Sequence, residues 1–160
     1  VSSVLEQAAG ESRLHAPGDI HVAVRVEPVE LEADGDPERV HQVVANLIEN
    51  ALRYSPSGGT VEVTAHRERN NVCIEVADEG PGIPAGERGR VFERFYRADA
   101  ARSSSNGGAG LGLAIARWIV ELHGGEIRPE TRDPHGCRMV FTLPAAATPV
   151  HAHALPGTRS

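Results

Sequence analysis

Lysine is missing from this chain of 160 residues, so all 16 basic side chains are arginines. That excludes a P-loop, whose lysine must reach the β- and γ-phosphates. Aromatic residues are few, with one Trp, two Tyr and three Phe, and aliphatic side chains must therefore fill most of the core. Only two cysteines occur, Cys73 and Cys137, far apart and without paired spacing. They indicate neither a zinc site nor a secreted disulfide framework, and a reducing compartment fits. No apolar run approaches the ~20 residues of a membrane span, and the opening Val-Ser-Ser-Val-Leu-Glu is unlike a signal peptide, so this stretch of chain is expected to be soluble. Positive charge is not in excess either: 22 acids leave a formal net charge of −6, which opposes a general binder of nucleic-acid phosphates.

What is present describes one globular unit. Hydrophobic residues make up 40% and charged residues 24%, both ordinary, and the length suits a single domain with its own core. Cations gather in the second half, with Arg88, Arg90, Arg94, Arg97 and Arg102 beside a glycine-rich stretch, a placement suited to a polyphosphate or an acidic partner.

Breaker residues and hydrophobic periods divide the chain. Residues 1–17 read as a short helical end and linker remnant, closed by Ala16-Pro17-Gly18-Asp19. Alternation predicts a strand over 21–26 and a second extended segment over 29–33. A helix then starts where Asp36 can cap it and Pro37 fits its first turn, and Val40, Val43, Val44, Leu47, Ile48, Ala51 and Leu52 follow at helical spacing. Residues 61–65 and 72–76 read as a hairpin. A long loop-like region over 78–112 precedes a second helix over 111–123, expected to bury Leu113, Ile115, Trp118, Ile119 and Leu122. A final hairpin pairs 126–131 with 138–143, and 145–160 is expected to form a flexible tail. Strands of one sheet alternating with helices suggest a two-layer sandwich of α and β structure.

On the first strong helix a second stripe, Gln42, Asn46, Glu49, Asn50 and Arg53, runs beside the apolar one. Asparagine is a poor helix former, so two of them one turn apart favour a site over an ordinary solvated face. Two amides and a guanidinium suit a hydrated magnesium ion and phosphate oxygens. Asp78-Glu79-Gly80-Pro81-Gly82 leaves a buried strand directly, and Asn106-Gly107-Gly108-Ala109-Gly110-Leu111-Gly112-Leu113 runs into a helix, whose unpaired N–H groups make an anion site. Each motif is weak alone. The dinucleotide fingerprint fails, because Leu113 occupies its third glycine position and no strand precedes it.

Together these segments resemble the ATP-binding catalytic domain of sensor histidine kinases, in the wider family that holds gyrase, the Hsp90 chaperone and MutL. Residues 46–55 resemble the N box, 78–82 the first glycine box, 91–99 the F box and 108–113 the second glycine box, in the family's order. The F-box run Val-Phe-Glu-Arg-Phe-Tyr-Arg-Ala-Asp is similar to histidine kinases rather than to the gyrase or chaperone branch.

The resemblance implies an α+β two-layer sandwich over 18–144, with a mixed five-stranded sheet and about three helices on one face. It implies ATP and Mg2+ as ligands. Asp78 would accept a hydrogen bond from the adenine amino group, and Gly80 and Gly82 would admit the base. Asn50 would ligate the metal with Asn46 nearby, Arg53 would meet phosphate oxygens, and Tyr54 would pack beside the base. A lid over 83–106, anchored by Phe92 and Phe95, would close on the nucleotide, with Gly108, Gly110, Leu111 and Gly112 wrapping the triphosphate. Arg53 replaces a more common lysine, and Cys137 stands where a threonine is frequent. No general base is implied.

None of the eight histidines lies in the setting of a phosphoacceptor helix. The resemblance therefore implies transfer to a histidine on a separate dimerisation domain of the parent protein, a response regulator downstream, and a parent anchored in a membrane with this part on its cytoplasmic face. Two other readings on the same fold are a serine kinase of the anti-sigma type, which lacks an F box, and a non-catalytic nucleotide-binding module.

Overall fold

The structure, a computed structural model, describes residues 1–14, 16, 18–28, 31–80, 112–131 and 136–146. Five strands, β1 (His21–Glu27), β2 (Thr60–Glu68), β3 (Asn71–Ala77), β4 (Ile127–Thr131) and β5 (Cys137–Pro144), form one sheet in the order β1-β2-β3-β5-β4. The first pair is parallel and the other three are antiparallel, so the sheet is mixed. A parallel pair needs a crossover. The helix α2 (Pro37–Tyr54) supplies it.

Register sorts the side chains into two faces. Val26, Ala65, Ile74, Phe141 and Ile127 make one row across all five strands, and Val24, Val63, Val76 and Met139 make the next. Pleating sends these rows to the same side, where α1 (Ser2–Arg13), α2 and α3 (Gly112–Leu122) cover them. The opposite face carries Thr64, Glu75, Arg128, Glu130 and Arg138. There Arg138 meets Glu75 at 3.6 Å and Glu130 at 3.2 Å, and Arg128 meets Glu130 at 2.8 Å. A sheet with one dry and one polar face is the usual result of antiparallel alternation.

The fold read from the sequence stands in its main elements, and four details differ. Residues 2–13, read as a short helical end in a linker remnant, form the expected helix, but its Leu5, Ala8 and Ala9 are buried in the core. Segment 29–33 forms no strand among its described residues, Ala33 making an isolated bridge to Ala145. The start of the expected tail is tied down, because Ala145 N–H donates to Asn70 and Ala146 N–H to Glu32. Trp118 is 58% and Leu122 65% exposed, whereas Ala116, Ile119 and Val120 are buried. At 100° per residue, 118 lies nearly opposite 116 and 122 nearly opposite 120, so no single stripe can bury them all.

One contact between helices was not legible in the sequence. His123, just past α3, accepts from Asp36 N–H at Nε2 (3.2 Å) while Nδ1 donates to the Ile119 carbonyl (2.8 Å). It thereby fastens the start of α2 to the end of α3. A side chain on Gly35 would meet this imidazole at 3.0 Å, so the glycine lets the ring lie against the turn.

Candidate functional site

Helix α2 is the spine of the site. Asp36 caps it by accepting from Glu38 N–H (3.0 Å), Pro37 occupies the first turn, Glu38 lies at the positive end of the dipole and Arg53 at the negative end. One stripe, Val43, Val44, Leu47, Ile48 and Ala51, is buried on the sheet. Along the other, Asn46, Asn50, Arg53 and Tyr54 are all half-buried whereas Glu49 is exposed. Half-burial of amides and a guanidinium in a row is what a cleft wall requires and an outer helix face does not.

Two structures sit at the ends of this stripe. At one end Asn46 Nδ2 donates to the carbonyl of Gly112 (3.2 Å), holding the start of α3 against α2. At the other, the chain leaving β3 turns at Asp78-Glu79-Gly80 against the last turn of α2. A Cβ on Gly80 would lie 2.4 Å from the Tyr54 carbonyl oxygen, so this approach admits no side chain. From residue 46 to residue 54 at 1.5 Å per residue is about 12 Å, with Asn50 and Arg53 between.

Asp78 is 4% exposed, the one buried charged residue among the described residues. Its N–H donates to Cys137 O (2.9 Å), while its Oδ1 accepts from Gly80 N–H (2.8 Å) and from Cys137 N–H (3.4 Å). Buried carboxylates persist only where such donors satisfy them. The Cys137 contacts run through its backbone, so the residue type there leaves them in place. Sequence reasoning missed three supporting groups. Gly136 has φ +121°, and a Cβ there would lie 2.1 Å from Asp78 O. Glu79 Oε1 accepts from Thr60 N–H (3.0 Å), tying the Asp78 turn to the start of β2. A glycine directly before the last strand was the available signal for Gly136; Thr60 and Glu79 carried none.

A cavity of about 710 Å3 opens along a neighbouring flank of α2, where Asn46 and Arg53 meet Glu11, Asp19, Glu49 and Ser57. Asp78, Asn50 and Gly80 do not line it. Its described lining holds three carboxylates against one guanidinium, a balance that disfavours a triphosphate, and it is not assigned as the nucleotide cleft. Gly82, Gly108, Gly110 and Leu111, like the lid over 83–106 with Phe92 and Phe95, lie outside the described residues. Gly112 opens α3.

Residues 35–147 match the family model described as Histidine kinase-, DNA gyrase B-, and HSP90-like ATPase. The chain belongs to this family. Its similarity falls on the sensor histidine kinases. It is 44% identical over 117 residues to the sensor histidine kinase WalK of Bacillus subtilis (strain 168), a match covering 72% of this chain and 19% of WalK. The solved mycobacterial sensor histidine kinase MprB superposes with a TM-score of 0.79 at 34% identity, covering 91% of this chain and 95% of that one. Full-length ShkA in complex with AMPPNP gives a TM-score of 0.79 at 29% identity, covering 92% of this chain and 30% of ShkA. The chain is thus an ATP-binding domain of the sensor histidine kinase type. It spans about a fifth of the length of WalK, and none of its described helices is long and apolar enough to cross a membrane.

Proposed function

We propose that this domain binds Mg-ATP and presents the γ-phosphoryl group to a histidine on a separate dimerisation domain of its parent protein, a sensor kinase that hands the phosphoryl group on to a response regulator. The observation that carries this reading is the arrangement along α2, with the buried Asp78 turn at one end and the Asn46–Gly112 contact at the other. ShkA, similar in fold and sequence, is known with an ATP analogue bound.

The roles follow from the chemistry of each group. Asp78 Oδ1 is occupied by N–H donors, and the carboxylate can accept from the exocyclic amino group of adenine. Guanine carries a carbonyl at that place, an acceptor facing an acceptor, so the pocket selects adenine. Gly80 brings the backbone close to the base, with Gly82 beside it, and Tyr54 packs against the ring. Asn46 has Nδ2 committed to Gly112, which orients the amide and leaves Oδ1 as the atom it offers a cation. Asn50, one turn further, offers a second amide oxygen, and oxygen donors with retained water are what magnesium takes. Bound there, Mg2+ would neutralise phosphate charge. Arg53 pairs with phosphate oxygens through its planar fork. The glycines at 108, 110 and 112 let N–H groups at the start of α3 approach the phosphates, which the helix dipole also favours.

Phosphoryl transfer is mostly positioning and charge neutralisation, and these residues do both. The imidazole that attacks comes from the partner domain. No residue in this chain needs to act as a general base. The parent is taken to be anchored in a membrane with this domain on the cytoplasmic side. The test mixes the domain, labelled ATP and a separately prepared acceptor-helix domain of the parent. Acid-labile, base-stable phosphate on the acceptor histidine is the expected product. Phosphoserine on a partner would favour the anti-sigma type of kinase, and nucleotide binding without transfer would reduce the domain to a docking module.

A further inference from the structure

We propose that His66, Glu68 and Cys73, on the helix-free face of the sheet, form a binding site for a zinc-like transition-metal dication, separate from the nucleotide site and independent of its function. The hairpin builds the constellation. Residues 66 and 68 lie two apart on β2 and so share a face, and the β2–β3 register sets Cys73 directly across from His66. One ligand atom from each of the three lies within 4.8 Å of the others. Bond lengths of roughly 2.0–2.3 Å to nitrogen, oxygen and sulfur around a tetrahedral ion require slightly closer spacing, which side-chain rotation supplies without moving the ladder.

The surroundings favour a cation. Cys73 is 3% exposed even though its face carries no helix, and Glu75 Oε2 lies 3.9 Å from its sulfur, near enough to provide a fourth corner. Glu27 stands beside His66 in the β1–β2 register. On this face Arg128 is engaged with Glu130 and Arg138 with Glu75 and Glu130, Arg25 lies one row away opposite Thr64, and Glu68 forms no ion pair with a described residue. A mixed set of imidazole, carboxylate and thiolate selects zinc over magnesium, which wants oxygen alone. Coordination replaces the S–H bond of Cys73 by a metal–sulfur bond and releases one proton to solvent, with no oxidant or reductant required. Five residues of β3 at about 3.3 Å each put the site roughly 17 Å from Asp78.

The test titrates Co2+ alone, and then Zn2+ in competition, into the complete 160-residue chain without nucleotide. One equivalent of cobalt should produce a thiolate-to-metal charge-transfer absorption that zinc abolishes. Cys73→Ser should remove the absorption, and His66→Ala should weaken binding by at least about tenfold, since even outer-shell changes cost that much. Circular dichroism of each variant checks the fold. The pair His151→Ala and His153→Ala should leave the titration unchanged, because a His-x-His tail is the obvious rival. An absorption that survives Cys73→Ser, a titration lost with the tail histidines, or no saturable binding would overturn the proposal. ATP binding measured alongside should be the same with and without zinc, so neither reading falls with the other.

Discussion

Asp78→Asn is the most informative single substitution, because geometry separates its effect on binding from its effect on stability. The asparagine Oδ1 can still accept from Gly80 N–H, now 2.8 Å from the carboxylate, so the turn keeps its hydrogen bond and the fold should lose no more than about 1 kcal/mol. The other carboxylate oxygen becomes an NH2 group and opposes the adenine amino group, donor against donor. Losing a hydrogen bond to a charged acceptor costs about 1.5–3 kcal/mol, which is roughly 10- to 150-fold in affinity. Calorimetric titration with Mg-ATP should show that weakening, while thermal melting shows a transition within a few degrees of the parent. GTP, which the unsubstituted domain should bind poorly, should gain relative to ATP. Unchanged ATP affinity in a folded Asp78→Asn protein would refute the assignment of the adenine pocket.

Other outcomes follow from contacts already described. Gly80→Ala forces a Cβ to 2.4 Å from the Tyr54 carbonyl and should cost about 1–3 kcal/mol in denaturant unfolding, with ATP affinity falling as well. His123→Ala removes both bonds of the imidazole and should cost about 1–2 kcal/mol by urea titration, without altering nucleotide affinity. Trp118→Ala, on an exposed face, should change stability by less than about 0.5 kcal/mol, and a loss several times larger would place the indole in the core after all. Burial, and then the Glu75 and Glu68 carboxylates, push the Cys73 thiol up to about 11 from 9.0. The folded state therefore holds that proton more tightly than the unfolded one. In chelator-treated protein its stabilising contribution should be complete below pH 9 and lost between about 9 and 11, with thiol reagents reacting slowly at neutral pH.

Local chemistry made much of this molecule readable. Asp36 and Pro37 are capping signals that act within one turn, and the two stripes of α2 follow from its period. Asp78 stood out only through the order of the motifs around it, because an Asp-x-Gly-x-Gly turn after a strand is weak alone. What stayed hidden depends on distance in sequence. His123 meets Asp36 across 87 residues, and Asn46 meets Gly112 across 66. Trp118 and Leu122 misled because α3 is apolar nearly all round, so its period did not say which face would be covered. Cysteine spacing is silent on the His66–Cys73 pairing, since spacing rules describe ligands on one loop and are blind to a pair brought opposite each other by strand register.

Helix α2 has a consequence for how such a protein can be altered. Its inner stripe packs on the sheet and its outer stripe carries the proposed ligands of magnesium and phosphate, so trimming Ile48 or Leu47 would tilt Asn46 and Arg53 as it loosens the interior. Thermal tolerance and ligand grip are therefore inherited together along this one segment. The polar side of the sheet is under no such obligation. It is the better place to attach a reporter dye or an immobilising tether when turnover must be watched undisturbed.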